Sequence, residues 1–308
     1  MIPIDENNWK KQSPYDRFDS FIALKTDRYK ALLLTIEKTG LNTTVISVAG
    51  NRHLFIFPNG QKIRSAGNTF PFAGKSPYVL VAHYDRVEGS PGANDNSIAV
   101  FHLLRAALIF AEQNIDNWII IFTDKEELVS GENFEAQGSF TLAKKLKTWG
   151  LEKARIFNFD ACGTGNTFIL STITDSILGN NDRPNINKLK ESIRLLRNRA
   201  LKTVDRLSFE KVLLAPTPFC DDMGFLRAGF VAQTITMLPE EEASKFEAVL
   251  HEHPEFSNLL ISGEIKKSNS IQFLPRTWKN LNTPADTPSL LTPQFFEQTI
   301  SFIVDLCK

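Results

Sequence analysis

Short apolar runs in this sequence are followed by histidine and carboxylate side chains, the groups that bind metals and move protons in many enzymes. The apolar runs span Tyr78 to Ala82, Trp118 to Phe122 and Ile156 to Phe159. The polar groups behind them are His83-Tyr84-Asp85, the segment Pro91 to Ser97 with Asp95, the pair Glu126-Glu127, and Asp160. Because ligands of open α/β sheets bind outside the carboxyl ends of the strands, we expect these groups to meet at one edge of a sheet.

The residue types suit a metal centre. Zinc binds imidazole nitrogen and carboxylate oxygen, and a pair of zinc ions needs a carboxylate that bridges them. A further carboxylate can take the proton of a water activated by the metal. The candidate ligands are His83, Asp95, Glu127 and Asp160. Glu126 is then left as the candidate base.

Each motif alone also has an ordinary structural interpretation. The segment from His83 to Asp85 could be a surface turn, and the segment around Asp95 could be a turn that caps a helix. Two adjacent glutamates are typical of a solvated face, and Asp160 is uninformative by itself. The metal interpretation therefore depends on the order of the motifs, their spacing and their common position behind predicted strands.

Helices and further strands are predicted between and around these motifs. Predicted helices span Phe18 to Lys38 (ended by Gly40), Ser97 to Gln113, Ser139 to Trp149, Asn185 to Lys202 and Pro293 to Cys307. Predicted strands span Thr43 to Val48 and Leu54 to Phe57 (a hairpin with Gly50 and Asn51 in its turn), Thr167 to Ile173, Val212 to Ala215 and Val231 to Leu238. This alternation predicts an α/β fold with a mostly parallel sheet and helices on both sides.

The composition is that of a globular protein without affinity for polyanions. Of 308 residues, 42% are hydrophobic, and 35 Lys and Arg balance 35 Asp and Glu. We therefore expect neither nucleic acid nor an anionic membrane among its partners. No apolar run approaches the ~18 residues of a membrane helix. Met1 to Asp16 lacks the features of a secretory signal.

Cysteine usage and chain organisation add two expectations. Cys162, Cys220 and Cys307 lie far apart and form no CxxC pair, which favours a reducing, cytoplasmic location. The sequence has no linker rich in Pro, Gly or Ser and no internal repeat, so we predict a single catalytic domain over residues 1–308. The polar stretch 240–280 predicts an excursion beside the site.

Six segments resemble metallopeptidase family twenty-eight, the cocatalytic zinc aminopeptidases with their glutamate carboxypeptidase and glutaminyl cyclase-like relatives. These segments are VLVAHYD (Val79 to Asp85), PGANDNSIAV (Pro91 to Val100), IIIFTDKEELVSGENF (Ile119 to Phe134), FNFDACG (Phe157 to Gly163), CDDMGFLRAGF (Cys220 to Phe230) and NTPADT (Asn282 to Thr287). The resemblance spans roughly residues 20 to 305, and its first three segments are together quite specific.

The resemblance implies a zinc aminopeptidase-like fold, which is a three-layer α/β/α sandwich around a mixed, mostly parallel sheet. It implies zinc as the cofactor, as one or two divalent ions. His83 and Asp160 would bind one metal, and Asp85 would hold the other ring nitrogen of His83.

The resemblance also implies how the second metal is held. Asp95 would bridge the two metals, and Glu127 would be a ligand of the second one. Glu126 would act as the general base. Members of this family commonly carry a cis peptide bond after the bridging aspartate, so we expect one between Asp95 and Asn96.

The sequence departs from the family at three matched positions. Asn282 replaces the histidine that usually completes the second metal site, and a neutral amide oxygen is a weaker zinc ligand than imidazole. We therefore expect a weakened second site in which Asn282 stands in the place of that histidine. Asp222 stands where histidine is common and could lend a carboxylate or lie on the surface, and Ile98 replaces a frequent glycine. His251 and His253 are predicted to be surface histidines rather than replacement ligands.

The leading functional prediction is a metal-dependent aminopeptidase that acts on a peptide or aminoacyl small molecule with Glu126 as base. A glutaminyl cyclase-like transferase is an alternative, although its single zinc would use Asp95, Glu127 and the histidine replaced by Asn282. A catalytically degenerate binding protein on the same scaffold is the third hypothesis. Metal analysis separates the last hypothesis from the enzymes, and a screen of aminoacyl amides against glutaminyl peptides separates the two enzymes.

Overall fold

A computed structural model gives the structure of this chain and describes residues 4–58, 61, 70–129, 131–209, 211–262, 265 and 269–308. Eight strands in this part of the chain form one sheet in the order β1-β2-β4-β3-β5-β8-β6-β7. They are β1 (Thr43–Val48), β2 (Asn51–Ile56), β3 (Tyr78–His83), β4 (Trp118–Thr123), β5 (Arg155–Phe159), β6 (Thr167–Ser171), β7 (Val212–Ala215) and β8 (Ala232–Leu238).

The helices precede, connect and follow these strands. They are α1 (Phe18–Ile22), α2 (Arg28–Thr39), α3 (Ile98–Glu112), α4 (Gly138–Thr148), α5 (Ile173–Leu178), α6 (Pro184–Arg206), α7 (Asp221–Arg227), α8 (Glu240–Glu252), α9 (Phe256–Ser262), α10 (Arg276–Asn280) and α11 (Phe296–Leu306). Among the described residues, no helix combines the length and the apolar character needed to cross a membrane.

The sheet lies between two helical layers. Along β3, the side chains of Tyr78 and Leu80 pack with α3, α6 and α11 in one apolar cluster. The intervening Val79 and Val81 pack with α4 and α7 in a second cluster on the opposite face. Alternate residues of a strand point to opposite faces, so a central strand buried on both sides is apolar throughout. The predicted α/β/α sandwich is confirmed.

The sheet is mixed, as the family resemblance implies. Strand β3 pairs in parallel with both β4 and β5, and β5 pairs in parallel with β8. The pairs β1-β2, β2-β4 and β6-β8 are antiparallel. The carboxyl ends of β3, β4 and β5 therefore meet at one edge of the sheet, where the predicted metal ligands follow them.

Several predicted boundaries are wrong, and the strand expected from Leu54 and the helix expected to end at Lys202 are both longer, since β2 begins at Asn51 and α6 ends at Arg206. The helix expected over Phe18 to Lys38 is divided into α1 and α2, because Asp27 caps the second helix by accepting a hydrogen bond from the Lys30 amide. The strand expected to reach Ile173 ends at Ser171, and Ile173 begins α5. The closing helix begins at Phe296 because the preceding residues form a 3₁₀ turn.

The stretch 240–280 contains α8, α9 and α10, although residues 263, 264 and 266–268 lie outside the described part of the chain. Its side chains Phe246, Phe256, Leu260 and Trp278 form a third apolar cluster that covers Ile169 of β6. The polar excursion expected from the sequence is thus packed against the sheet by its apolar face. The assignment of residues 1–308 to one domain stays a prediction.

Candidate metal centre

The site forms around the carboxyl end of β3, which lies between β4 and β5. The chain passes from β3 to β4 on one side, and then returns to β5 on the other side of β3. In open α/β sheets, such a reversal of strand order leaves a crevice that binds ligands. His83 is the last residue of β3 and lies beside Thr123 at the end of β4.

The imidazole of His83 faces the predicted carboxylates. Its Nε2 atom lies 3.0 Å from Asp95 Oδ1 and 3.9 Å from Asp160 Oδ2. Its Nδ1 atom lies 3.5 Å from Asp85 Oδ1, which is too long for a strong hydrogen bond, so the contact is mainly electrostatic. The short contact of Nε2 with Asp95 lacks the geometry of a hydrogen bond, so neither ring nitrogen of His83, which is only 1% exposed, has a hydrogen-bond partner among the described residues.

The structure brings the candidate ligands and the candidate base together. Potential ligand atoms of His83, Asp95 and Asp160 all lie within 4.8 Å of one another, and so do those of His83, Glu126 and Glu127. Glu127 Oε1 is buried without a hydrogen-bond partner in the described part of the chain. Five side chains thus converge, namely those of His83, Asp95, Glu126, Glu127 and Asp160. Their individual roles stay predictions.

Asp85 makes contacts that the sequence did not predict. Its Oδ1 accepts a hydrogen bond from the Glu126 amide at 3.2 Å, and its Oδ2 accepts one from the Glu127 amide at 3.0 Å. The same carboxylate lies beside His83. Asp85 therefore fixes the backbone of the glutamate pair, while its support of the His83 ring stays a prediction.

The loop that carries Asp95 is held by Asp286, a residue that sequence reasoning missed. The Asp286 carboxylate accepts hydrogen bonds from the backbone amides of Asn94 at 2.8 Å and Asp95 at 2.9 Å. Burial raises the pKa of Asp286 to about 6. The peptide bond between Asp95 and Asn96 is cis, as expected from the family resemblance. The NTPADT segment contained the signal for Asp286, since it is the one acidic residue there.

Arg28 is a second residue missed at the sequence level, because it lies on α2 far from the motifs. Its buried guanidinium donates hydrogen bonds to the carbonyls of Tyr84, Asp85, Pro91 and Gly92 and to Ser97 Oγ. Burial, with a smaller contribution from Arg86, lowers the pKa of Arg28 to about 9, so the group stays charged at neutral pH. Arg28 thereby ties the loop after β3 to the loop that carries Asp95.

Asp222 is buried and not a surface residue, which excludes one of its two expected roles. Its Oδ2 accepts a hydrogen bond from Thr234 Oγ1 at 3.0 Å, and Cys220 Sγ lies 3.3 Å from its Oδ1. Asp222 belongs to neither group of converging ligands among the described residues. The neighbouring Asp221 is fully buried and accepts a hydrogen bond from Thr123 at the end of β4.

Asn282 lies on the wall of the same cavity as Asp95 and Glu127. Its backbone is left-handed, with φ 64°, a conformation that asparagine tolerates better than most residues. His251 is exposed and His253 contacts Glu255, which is consistent with the prediction that neither replaces a ligand. Asn282 is thus positioned at the site where the family pattern expects histidine.

The electrostatics favour a bound cation. Burial, followed by the charge of Asp95, raises the pKa of Glu127 to about 9 and that of Asp160 to about 8. Burial and the nearby Glu127 also raise the pKa of Glu126. Burial alone would lower the pKa of His83, but the carboxylates around it outweigh this effect and raise it. Since ionised carboxylates repel one another here, a divalent ion would relieve the repulsion.

These residues fit zinc. One imidazole and several carboxylates are ligand types that zinc accepts, and the unpaired buried atoms of His83 and Glu127 supply donor positions. Asp85 stands behind His83 in the way that a carboxylate commonly supports a metal-binding imidazole. The donor set therefore matches the cofactor that the sequence predicts.

A cavity of about 310 Å³ opens from the acidic cluster. Its acidic end contains Asp95, Glu126, Glu127 and Asp160. Its apolar wall includes Phe134, Phe219, Leu260, Leu274 and Trp278. The Phe134 and Phe219 rings make an edge-to-face contact with centroids 4.7 Å apart. Among the described residues, no Lys or Arg lines this cavity.

The fold is zinc aminopeptidase-like, with an eight-stranded mixed sheet between two layers of helices. The sequence matches the model of peptidase family M28 over residues 67–254, which is more than half of the chain. This protein therefore belongs to peptidase family M28, and the resemblance drawn from its motifs is confirmed. No curated protein matches the sequence.

Solved structures share the fold. A leucine aminopeptidase precursor from Bacteroides thetaiotaomicron has a TM-score of 0.61 and 16% identity, over 99% of this chain and 97% of that one. A glutaminyl cyclase from the same species, bound to N-acetylhistamine, has a TM-score of 0.62 and 17% identity, over 99% and 98%. For a zinc aminopeptidase from Bacillus subtilis the TM-score is 0.52 and the identity 16%, with 83% of this chain covered. This chain spans about half, 49%, of the length of that enzyme. At these identities, the similarity establishes the fold alone.

Proposed function

We propose that this protein is a metal-dependent hydrolase that removes residues from the amino end of peptides or from aminoacyl small molecules. The observation that carries the proposal is the convergence of His83, Asp95, Glu127 and Asp160 on one crevice, with Glu126 beside them. His83 and Asp160 would hold one ion, Asp95 would bridge, and Glu127 would hold a second ion. A bound zinc ion lowers the pKa of water and polarises a carbonyl group.

Glu126 is the residue that moves the proton in this proposal. It is 8% exposed, it lines the cavity, and burial raises its pKa, which makes its carboxylate a stronger base. Its carboxylate would take a proton from the attacking water and return it to the leaving amine. Asp85 supports this role by holding the Glu126 amide.

The charge of the cavity favours an amino end over a carboxyl end of the substrate. Carboxylates lie at one end of the cavity, and among the described residues no Lys or Arg lines it. A substrate ammonium group would be complemented by these carboxylates, whereas a terminal carboxylate would find no cationic partner among the described lining residues. The apolar wall with Leu274 and Trp278 would receive an apolar side chain of the substrate.

A glutaminyl cyclase-like transferase is the second candidate, since a similar structure is a glutaminyl cyclase. Asn282 weighs against it, because the zinc of a cyclase would depend on Asp95, Glu127 and a histidine at that position. A binding protein without activity is the third candidate, and the buried, oriented Glu126 weighs against it.

The test is a substrate panel with zinc present. Leucyl, phenylalanyl, lysyl and glutamyl anilides, N-acetylleucyl anilide and an N-terminal glutaminyl peptide are offered to the parent protein and to Glu126→Gln. We expect hydrolysis that requires a free amine, and a turnover about 100-fold to 10,000-fold lower in Glu126→Gln at equal metal content. Glu112→Gln, an exposed site at the end of α3, is the matched control. Cyclisation of the glutaminyl peptide without any hydrolysis, or parental turnover in Glu126→Gln, would contradict the proposal.

A further inference from the structure

Gln137 is a buried amide placed against the candidate base. It lies directly before α4 and is 2% exposed. Its Nε2 donates to Glu126 Oε1 at 3.2 Å and lies 3.4 Å from the carbonyl oxygens of Glu126 and Cys220. All three neighbours are acceptors, so the nitrogen end of the amide is the end that faces Glu126.

The other end of the same amide has no partner. Gln137 Oε1 is buried and accepts no hydrogen bond from the described residues. An unpaired buried acceptor destabilises a fold, so packing stability alone does not account for glutamine at this position. An apolar side chain of the same length would avoid that cost, but it would leave the Glu126 carboxylate without its amide donor.

The two carboxylate oxygens of Glu126 differ in their hydrogen bonds. Oε1 accepts the hydrogen bond from Gln137, while Oε2 accepts none from any described residue. Both Glu126 and Gln137 line the cavity that contains the metal centre. A carboxylate has two equivalent oxygens and rotates about its last bond, so a donor fixed on one oxygen determines where the other points.

We propose that Gln137 is a positioning residue that orients the Glu126 carboxylate, leaving Oε2 to take the proton from the reacting water. This inference rests on the proposed function, because it assigns Gln137 a role in the proton transfer by Glu126. It differs from a purely structural role, in which Gln137 would only join the Glu126 loop to the Cys220 carbonyl. The two roles predict different kinetics.

The test is Gln137→Met, which keeps the length of the side chain and removes the donor. We expect kcat to fall about 10-fold to 100-fold, a part of the 100-fold to 10,000-fold typical of a general base, with KM changed by less than about 3-fold. Zinc content and Tm should stay near those of the parent. Gln113→Met, an exposed glutamine at the end of α3, is the matched control.

A double-mutant cycle decides between the two roles. If Gln137 acts through Glu126, then Gln137→Met should cost little further turnover in the Glu126→Gln background. Equal losses in both backgrounds would overturn the inference, and so would an unchanged kcat in Gln137→Met alone. If Gln137→Met lowers Tm or metal content, Gln137→Asn repeats the cycle with an amide one methylene too short to keep the contact. A parent protein that hydrolyses no substrate overturns the proposed function as well, whereas an active parent with an equally active Gln137→Met overturns only this inference.

Discussion

Replacing Asp286 tests how the metal centre is built without touching a predicted ligand. The carboxylate is 1% exposed and holds the backbone amides of Asn94 and Asp95 at 2.8 and 2.9 Å. Asp286→Asn keeps the shape of the side chain but replaces one of its two acceptor oxygens with an NH2 group. One of the two backbone N–H groups would then face an amide nitrogen that is itself a donor.

The expected cost follows from these contacts. A hydrogen bond to a charged acceptor contributes about 1.5–3 kcal/mol, so the loss of one should lower the free energy of unfolding by roughly 2 kcal/mol. With about 2.1 cal/mol/K of unfolding entropy per residue, a chain of 308 residues should lose ~3 °C in Tm. Because the backbone of Asp95 is no longer held, we also expect metal affinity to fall about 10-fold to 100-fold.

The assay combines calorimetric unfolding of the metal-free protein with a zinc titration, both above pH 7. Burial raises the pKa of Asp286 to about 6, so its carboxylate is charged under these conditions. Asp116→Asn is the control, because Asp116 is exposed and precedes β4 at the opposite edge of the sheet. If Asp286→Asn kept the Tm and the zinc affinity of the parent, the Asp286 contacts would not position Asp95 and the reasoning would be refuted.

Two further predictions concern the metal. In the metal-free protein, burial raises the pKa of Glu127 to about 9 and that of Asp160 to about 8. Between about pH 5 and 8 the folded state therefore keeps protons that the unfolded state has lost. The free energy of unfolding should fall as the pH rises through this range. Metal binding must release these protons, so the logarithm of zinc affinity should rise by about 1–2 per pH unit over the same range; a flat affinity profile would contradict this. Asn282→His should tighten the second metal site and raise the stoichiometry towards two ions per chain, which calorimetric titration with zinc measures. Two equally tight sites in the parent protein would show that another ligand already replaces the histidine.

Local sequence patterns predicted the central strands well, for a physical reason. The runs that form β3, β4 and β5 are apolar on both faces because helices cover both sides of the sheet. Both predicted ends of each of these three strands fall within one residue of the observed ends. Predictions failed where one capping contact decides a boundary, as at Asp27, because hydrophobic periodicity carries no information about caps.

The residues of the candidate metal centre could be identified from the order of the motifs alone. His83 ends β3 and Asp160 follows β5, its parallel neighbour. Parallel strands end at the same edge of a sheet, so the order of motifs was sufficient to predict that these residues converge. The replacement of the family's usual histidine by Asn282 is also visible in the sequence, because it concerns only the identity of one residue.

The contacts that hold and surround these residues could not be predicted, because they depend on tertiary packing. Asp286 reaches the amide of Asn94 across 192 positions of sequence, and Arg28 reaches the loops after β3 from a helix of the opening segment. The raised pKa of Glu127 and the apolar wall with Trp278 likewise result from burial beneath distant segments. Such contacts depend on how the layers pack, and a side chain that supports a ligand from far along the chain leaves no local pattern in the sequence.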